Sequence, residues 1–124
     1  MNNNIVLIVL GGKDYEIKYN IAAKKKLEAK FNTPLMKLME RFGSFGIDDI
    51  INFLSIGSQI NGELIKKDEL EKYVDEYQND MEIFNLCSKA LYFSVFGAKK
   101  ALQIIENPEI LNPEEEENNL TSTT

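Results

Sequence analysis

The sequence predicts an α+β fold that is mostly α: an N-terminal β-hairpin followed by about five helices, the last one long, with a disordered acidic tail. Three observations predict it. An uninterrupted apolar run, Ile5 to Leu10, is followed by a Gly-Gly turn and an alternating segment. From Asn20 onward apolar residues recur at i, i+3, i+4 and i+7, the period of an amphipathic helix. Beyond Glu106 large apolar residues become scarce and acids dominate. A chain of 124 residues is expected to form one domain, placed here at 1–106, with the tail at 107–124.

Each element has its own reason. After a polar start, residues 5–10 are β-branched and apolar on both faces, the pattern of a strand buried on both sides. Gly11-Gly12-Lys13-Asp14 is a turn, and Tyr15-Glu16-Ile17-Lys18-Tyr19 alternates as a half-buried strand does. The hairpin over 5–19 is marginal alone, so helices are expected on one face and something else on the other. Asn20 caps a helix over 21–31 with Ala23, Leu27 and Phe31 on one stripe. Thr33 and Pro34 suit a restart, followed by Leu35, Leu38, Met39 and Phe42. Gly43-Ser44-Phe45-Gly46 breaks the chain before Ile47, Ile50, Ile51 and Leu54, and Asn61-Gly62 breaks it again. Asp68 caps a helix carrying Leu70, Tyr73, Val74 and Tyr77.

Asn79-Asp80 opens the last and longest helix, 81–106, which ends before Pro108. Ile83, Phe84, Cys87, Ala90, Leu91, Ser94, Val95, Ala98, Leu102 and Ile105 make one wide face, read as core. Leu86, Phe93, Phe96 and Ile104 lie opposite, with Lys89 and Lys100 among them. Either this helix is central to the fold, or the second stripe is a contact for another chain.

Composition excludes several function classes. There is no His and no Trp, and Cys87 is the one cysteine. His-based triads, His or Cys zinc sites and an intrachain disulfide framework are therefore not expected. The net charge is −6, but six of the 20 acids lie from Glu106 onward, where no Lys or Arg occurs, and the rest balance the 14 bases. A neutral body is a poor platform for a phosphate backbone, so no nucleic-acid partner is expected. Lys24-Lys25-Lys26 with Lys30 reads as a solvated helix face. The six-residue run at 5–10 falls well short of the roughly 20 apolar residues of a membrane span and does not have the form of a secretory leader. With a free cysteine, a cytoplasmic location is expected.

Residues that carry chemistry elsewhere have plain readings here. Asp48-Asp49 sit where first-turn carboxylates complement a helix dipole. Gly43-x-x-Gly46 has no Lys-Ser/Thr partner and is not a phosphate loop. Cys87 lies on the apolar stripe as an inert thiol. Asn119-Leu120-Thr121 matches a glycosylation acceptor by chance, and Tyr73, Tyr77 and Tyr92 read as packing residues. No catalytic, metal or cofactor-binding residue is assigned, and an enzyme is not expected.

The order of elements resembles a known family. Val9-Leu10-Gly11-Gly12-Lys13-Asp14-Tyr15-Glu16-Ile17 is followed by Ala22-Ala23-Lys24-Lys25-Lys26-Leu27-Glu28, by Pro34-Leu35-Met36-Lys37-Leu38-Met39, and by a helix near Ile50 to Ile60. An acidic helix, Leu70-Glu71-Lys72-Tyr73-Val74-Asp75-Glu76-Tyr77, then leads into the long apolar helix and charged tail. Over residues 5–106 this pattern is similar to the tail assembly chaperones of long-tailed bacteriophages and prophages of Gram-positive hosts. The resemblance implies a small cytoplasmic factor with no characteristic catalytic residue that coats the tape measure protein, leaves as tail tube protein polymerises, and is absent from the mature virion. It also implies tail tube contact through a longer, frameshifted product. A small structural head-tail or tail-completion protein retained in the virion is the alternative. A third reading, an acidic mimic of nucleic acid, is opposed by the neutral body. The residues themselves point to a homo-oligomer, with partner and self-association contacts expected at Ile5, Val6 and Ile8 of the hairpin and at Leu86, Phe93, Phe96 and Ile104 of the last helix.

Overall fold

The computed structural model describes residues 5–107. Strands β1 (Val6–Leu10) and β2 (Lys13–Ile17) form the expected hairpin, with Leu10 opposite Lys13 across the Gly11-Gly12 turn. Helices α1 (Ile21–Phe31) and α2 (Leu35–Glu40) follow, then a 3₁₀ turn (Phe42–Ser44) and α3 (Ile47–Gly57). A second, short hairpin comes next: β3 (Ser58–Ile60) and β4 (Glu63–Leu64) around Asn61-Gly62. The chain then forms α4 (Lys67–Tyr77), α5 (Asp80–Phe96) and α6 (Ala98–Glu106). The fold is α+β, with one antiparallel sheet in the order β1-β2-β3-β4.

Helix starts follow the expected chemistry. The Asn20 side chain accepts from the Ala23 amide at 2.9 Å, and Asn79 accepts from Glu82 at 3.1 Å. The Asp49 carboxylate accepts from the Gly46 amide at 3.0 Å, closing the start of α3. At α2 the expected Thr33 cap is replaced by Glu28, whose carboxylate accepts from the Leu35 amide at 2.8 Å. Asp68 is a first-turn residue rather than the cap, because α4 begins at Lys67 with Lys66 in the cap position, two residues earlier than expected.

Two expectations are corrected. The strand read as buried on both faces alternates instead: Val6, Ile8 and Leu10 face the core, while Ile5, Leu7 and Val9 are exposed. The pleat sends successive side chains to opposite faces, and among the described residues the helices cover only one of them. The single helix expected over 81–106 is two helices. Gly97, at φ 82° and ψ 160°, interrupts it in a conformation that essentially only glycine adopts. The expected tail at 107–124 lies outside the described residues except for Asn107.

The core sits between the sheet's inner face and the helices. Helix α5 is its centre, packing on β1 and β2, on α3 and on α6. Ile83, Cys87, Ala90 and Leu91 are buried as the wide stripe predicts, whereas Ser94, Leu102 and Ile105 of that stripe are exposed; the break at Gly97 turns Ala101 and Ile104 inward in place of Leu102 and Ile105. Phe42, Phe45, Phe53 and Phe84 stack edge and face with centroids 5.2–6.2 Å apart, tying the 3₁₀ turn and α3 to α5. Tyr19 is fully enclosed beside them, its hydroxyl donating to the Phe53 carbonyl at 2.7 Å.

Candidate interaction surfaces

The break at Gly97 builds the first surface. The Gly97 amide donates to Phe93 and its carbonyl accepts from Ala101, so one residue ends α5 and starts α6. Helix α6 then folds back on α5, bringing Ile104 and Ile105 beside Leu86 and Ser88. The result is a groove of about 520 Å³ walled by Phe42, Phe84, Leu86, Tyr92 and Ile105. Its lining is mainly apolar, with Glu82 and Lys89 as the charged groups beside it. Lys89 also lies 5.6 Å from the Phe93 ring centroid. On the groove wall the Ser88 hydroxyl is buried and makes no hydrogen bond among the described residues. A buried polar group left unpaired costs roughly 1–3 kcal/mol.

The second surface is the open end of the sheet. Among the described residues strand β1 has one neighbour, β2. In a two-residue hairpin the closing pair exchanges both backbone bonds, and such pairs recur every second residue. Leu10, Ile8 and Val6 therefore spend their N–H and C=O groups on β2, and those of Leu7 and Val9 point away from it. The side chains of Leu7 and Val9 are each 56% exposed and that of Ile5 is 49% exposed. At the other end of the sheet β4 is two residues long and carries Glu63.

The residues expected to make contacts divide between interior and surface. Val6 and Ile8 are 4% and 2% exposed and belong to the core. Phe93 is buried and lines a recess with Tyr19 and Ala90, and Ile104 is buried beneath the α5–α6 groove. These four side chains offer no outward surface. Ile5 is exposed, and Leu86 and Phe96 are half-buried, Phe96 against Tyr92. Sequence reasoning missed Leu7, Val9 and Ile105. A signal for the first two was present: a two-residue turn pairs Ile8 with Tyr15 and Val6 with Ile17, and cross-strand partners share a face. Since Tyr15 and Ile17 are the apolar members of an alternating strand, Val6 and Ile8 had to point inward with them.

The other flagged residues keep modest roles. Burial pushes the Cys87 thiol up to about 12, despite a hydrogen bond with Tyr19 that favours the thiolate, so it is a poor nucleophile at neutral pH. Asp48 is exposed and Asp49 caps α3. Gly43 lies in the 3₁₀ turn and Gly46 at the start of α3. Lys25, Lys26 and Lys30 are exposed on α1, while Lys24 reaches the Ser94 carbonyl at 3.4 Å. Tyr73 packs against Gly11 of the hairpin turn. Asn119-Leu120-Thr121 lies outside the described residues. No helix among the described residues is long and apolar enough to cross a membrane.

No family model, curated protein or solved structure matches this chain. Two surface features stand out among the described residues: an apolar groove with an unpaired hydroxyl in its wall, and an apolar strand edge with no neighbouring strand.

Proposed function

We propose that this chain is a tail assembly chaperone of a long-tailed bacteriophage or prophage, acting in the host cytoplasm and absent from the mature virion. It coats the tape measure protein, keeps it from aggregating, and is displaced as tail tube protein polymerises, with a longer frameshifted form contacting the tube subunits. The observation that carries this reading is the groove between α5 and α6. A groove with apolar walls and charges beside it suits one apolar ridge of an amphipathic helix, whose anchors recur at i, i+3 and i+4. Each large apolar side chain buried there contributes roughly 1.5–3 kcal/mol. One or two anchors per copy give a weak contact, and many copies along a long helical partner make the weak contacts sufficient. The element order over residues 5–106 supports the same reading.

The test is co-expression with the tape measure protein encoded by the same phage. The native chain keeps that protein soluble. Leu86→Glu and Ile105→Glu, on the groove wall, lose this effect while retaining a native circular-dichroism spectrum. Mass spectrometry of purified particles finds no copy of the chain. Stoichiometric copies in the particle would overturn the chaperone reading in favour of a head-tail or tail-completion component.

A further inference from the structure

We infer that β1 is the pairing edge for a second copy of this chain: two β1 strands meet antiparallel about a two-fold axis at Leu7 and join two four-stranded sheets into one of eight. This does not depend on the tail assembly reading.

The edge is open in both chemical senses. Leu7 and Val9 carry exposed apolar side chains, and their backbone groups point away from β2. Proteins normally blunt such an edge with a charge, a proline or a bulge. Residues 5–10 contain none of these, and the paired register with β2 runs unbroken. The opposite edge is blunted, since β4 is two residues long and carries Glu63. A β1-to-β4 contact, which would propagate head to tail, is therefore disfavoured. A β1-to-β1 contact uses the same patch twice and closes on itself.

Pairing geometry and charge fix the register. Only residues whose backbone faces outward can bond across the new seam, so odd-numbered residues must meet odd-numbered residues. A two-fold axis at Leu7 sets Leu7 against its own copy and Ile5 against Val9, so one apolar stripe continues across the seam. The next strand on each side is β2, where Asp14 sits beside Val9 and Glu16 beside Leu7. One further step of the same register sets Lys18 beside Ile5. The outer rows of the Leu7-centred dimer therefore run from Lys18 in one copy to Asp14 in the other, while its central row sets Glu16 against Glu16 of the second copy. Shifting the axis to Ile8 would align Glu16 with Asp14 in two rows and leave no lysine opposite an acid, so the Leu7 axis carries the better balance of charge. These charges choose the register more than they supply affinity. The seam is small beside the roughly 1,600 Å² of a standard interface, so the dimer is reversible.

The experiment is sedimentation equilibrium of the full chain from low micromolar to near-millimolar concentration, with amide hydrogen exchange on the same samples. A monomer–dimer equilibrium is expected, with the Leu7 and Val9 amides gaining protection as concentration rises. Leu7→Lys places a charge in the seam, and Leu7→Pro removes an outward N–H that β2 does not use. Each should raise the dimer dissociation constant by about tenfold or more, equivalent to about 1.4 kcal/mol. A wild-type chain that stays monomeric throughout overturns the inference. So does self-association that leaves the Leu7 and Val9 amides unchanged, or that either folded variant leaves intact. Should a variant fail to fold, the wild-type amide pattern decides alone.

Discussion

Tyr19 shows how a buried polar side chain is accommodated at the scale of one residue. Its hydroxyl donates to the Phe53 carbonyl, its own carbonyl accepts from the Ser94 hydroxyl at 2.6 Å, and its ring lies under Gly57. A methyl group at residue 57 would sit 2.6 Å from that ring, and a fully enclosed ring has nowhere to retreat. Gly57→Ala is therefore expected to destabilise by roughly 1–3 kcal/mol through overpacking. Tyr19→Phe, which loses only the hydrogen bond, is expected to cost about 1 kcal/mol. Urea unfolding of the two variants checks the order. Burial also raises the proton affinity of two neighbours, the Tyr19 phenol and the Cys87 thiol. The unfolded chain releases the thiol proton near 9.0, whereas the folded chain holds it to about 12. Above pH 9 the unfolded state thus binds fewer protons and stability falls, by up to about 1.4 kcal/mol per pH unit for one group. Tyr19 adds to the fall beyond its ordinary value of 10.0. Unfolding measured from pH 7 to 11 should be level at first and then decline, and Cys87→Ala should delay the onset to the tyrosine range.

At the scale of an element, the decisive positions are those where a local pattern meets a neighbour it does not specify. Gly97→Ala places a side chain at φ 82°, ψ 160° and is expected to cost roughly 1–3 kcal/mol. It should also loosen α6 from α5, seen as faster proteolysis within 98–106. In β1, Ile8→Lys should unfold the chain, whereas Leu7→Lys should leave its spectrum native; equal behaviour would contradict the alternating burial. The hairpin, the Asn20 and Asn79 caps and the spaced apolar stripes of α1, α3 and α4 were legible, because each depends on residues close in sequence. The break at Gly97 was not, since Phe96 and Ala98 continue the helical period on either side of it. The second hairpin was read only as an interruption, because Ser58–Ile60 and Glu63–Leu64 are too short to show alternation. The partner residues were half legible. Their apolar character is written in the sequence, but which of them faces outward depends on where the helical layer lies.

For the whole molecule, the arrangement of layers matters more than net charge. The helices cover the inner face of the sheet, where Val6, Ile8, Leu10, Tyr15 and Ile17 are buried, and leave Leu7 and Val9 uncovered on the other side. Acids and bases balance over residues 1–105, so long-range charge contributes little to encounters of the body with other chains. Association through the α5–α6 groove or the β1 edge should therefore hold level or strengthen as salt rises. Repeating the sedimentation and co-expression partner-binding measurements at low and high sodium chloride checks this. A steep loss of binding with salt would assign the contacts to charged groups instead.

The place of β1 in the chain has a consequence during synthesis. Its hairpin partner follows at once and pairs within microseconds, but the helix that covers its inner face, α5, is encoded some way downstream. The cover residues Ile83 to Leu91 come roughly 80 residues after Ile8, which at translation speeds of about 5–20 residues per second is several seconds. For that interval the nascent hairpin presents apolar side chains on both faces of its first strand. Neighbouring chains on one message then carry the same bare strand at the same moment. Slower initiation or sparser ribosomes should raise the soluble yield without altering the protein that emerges.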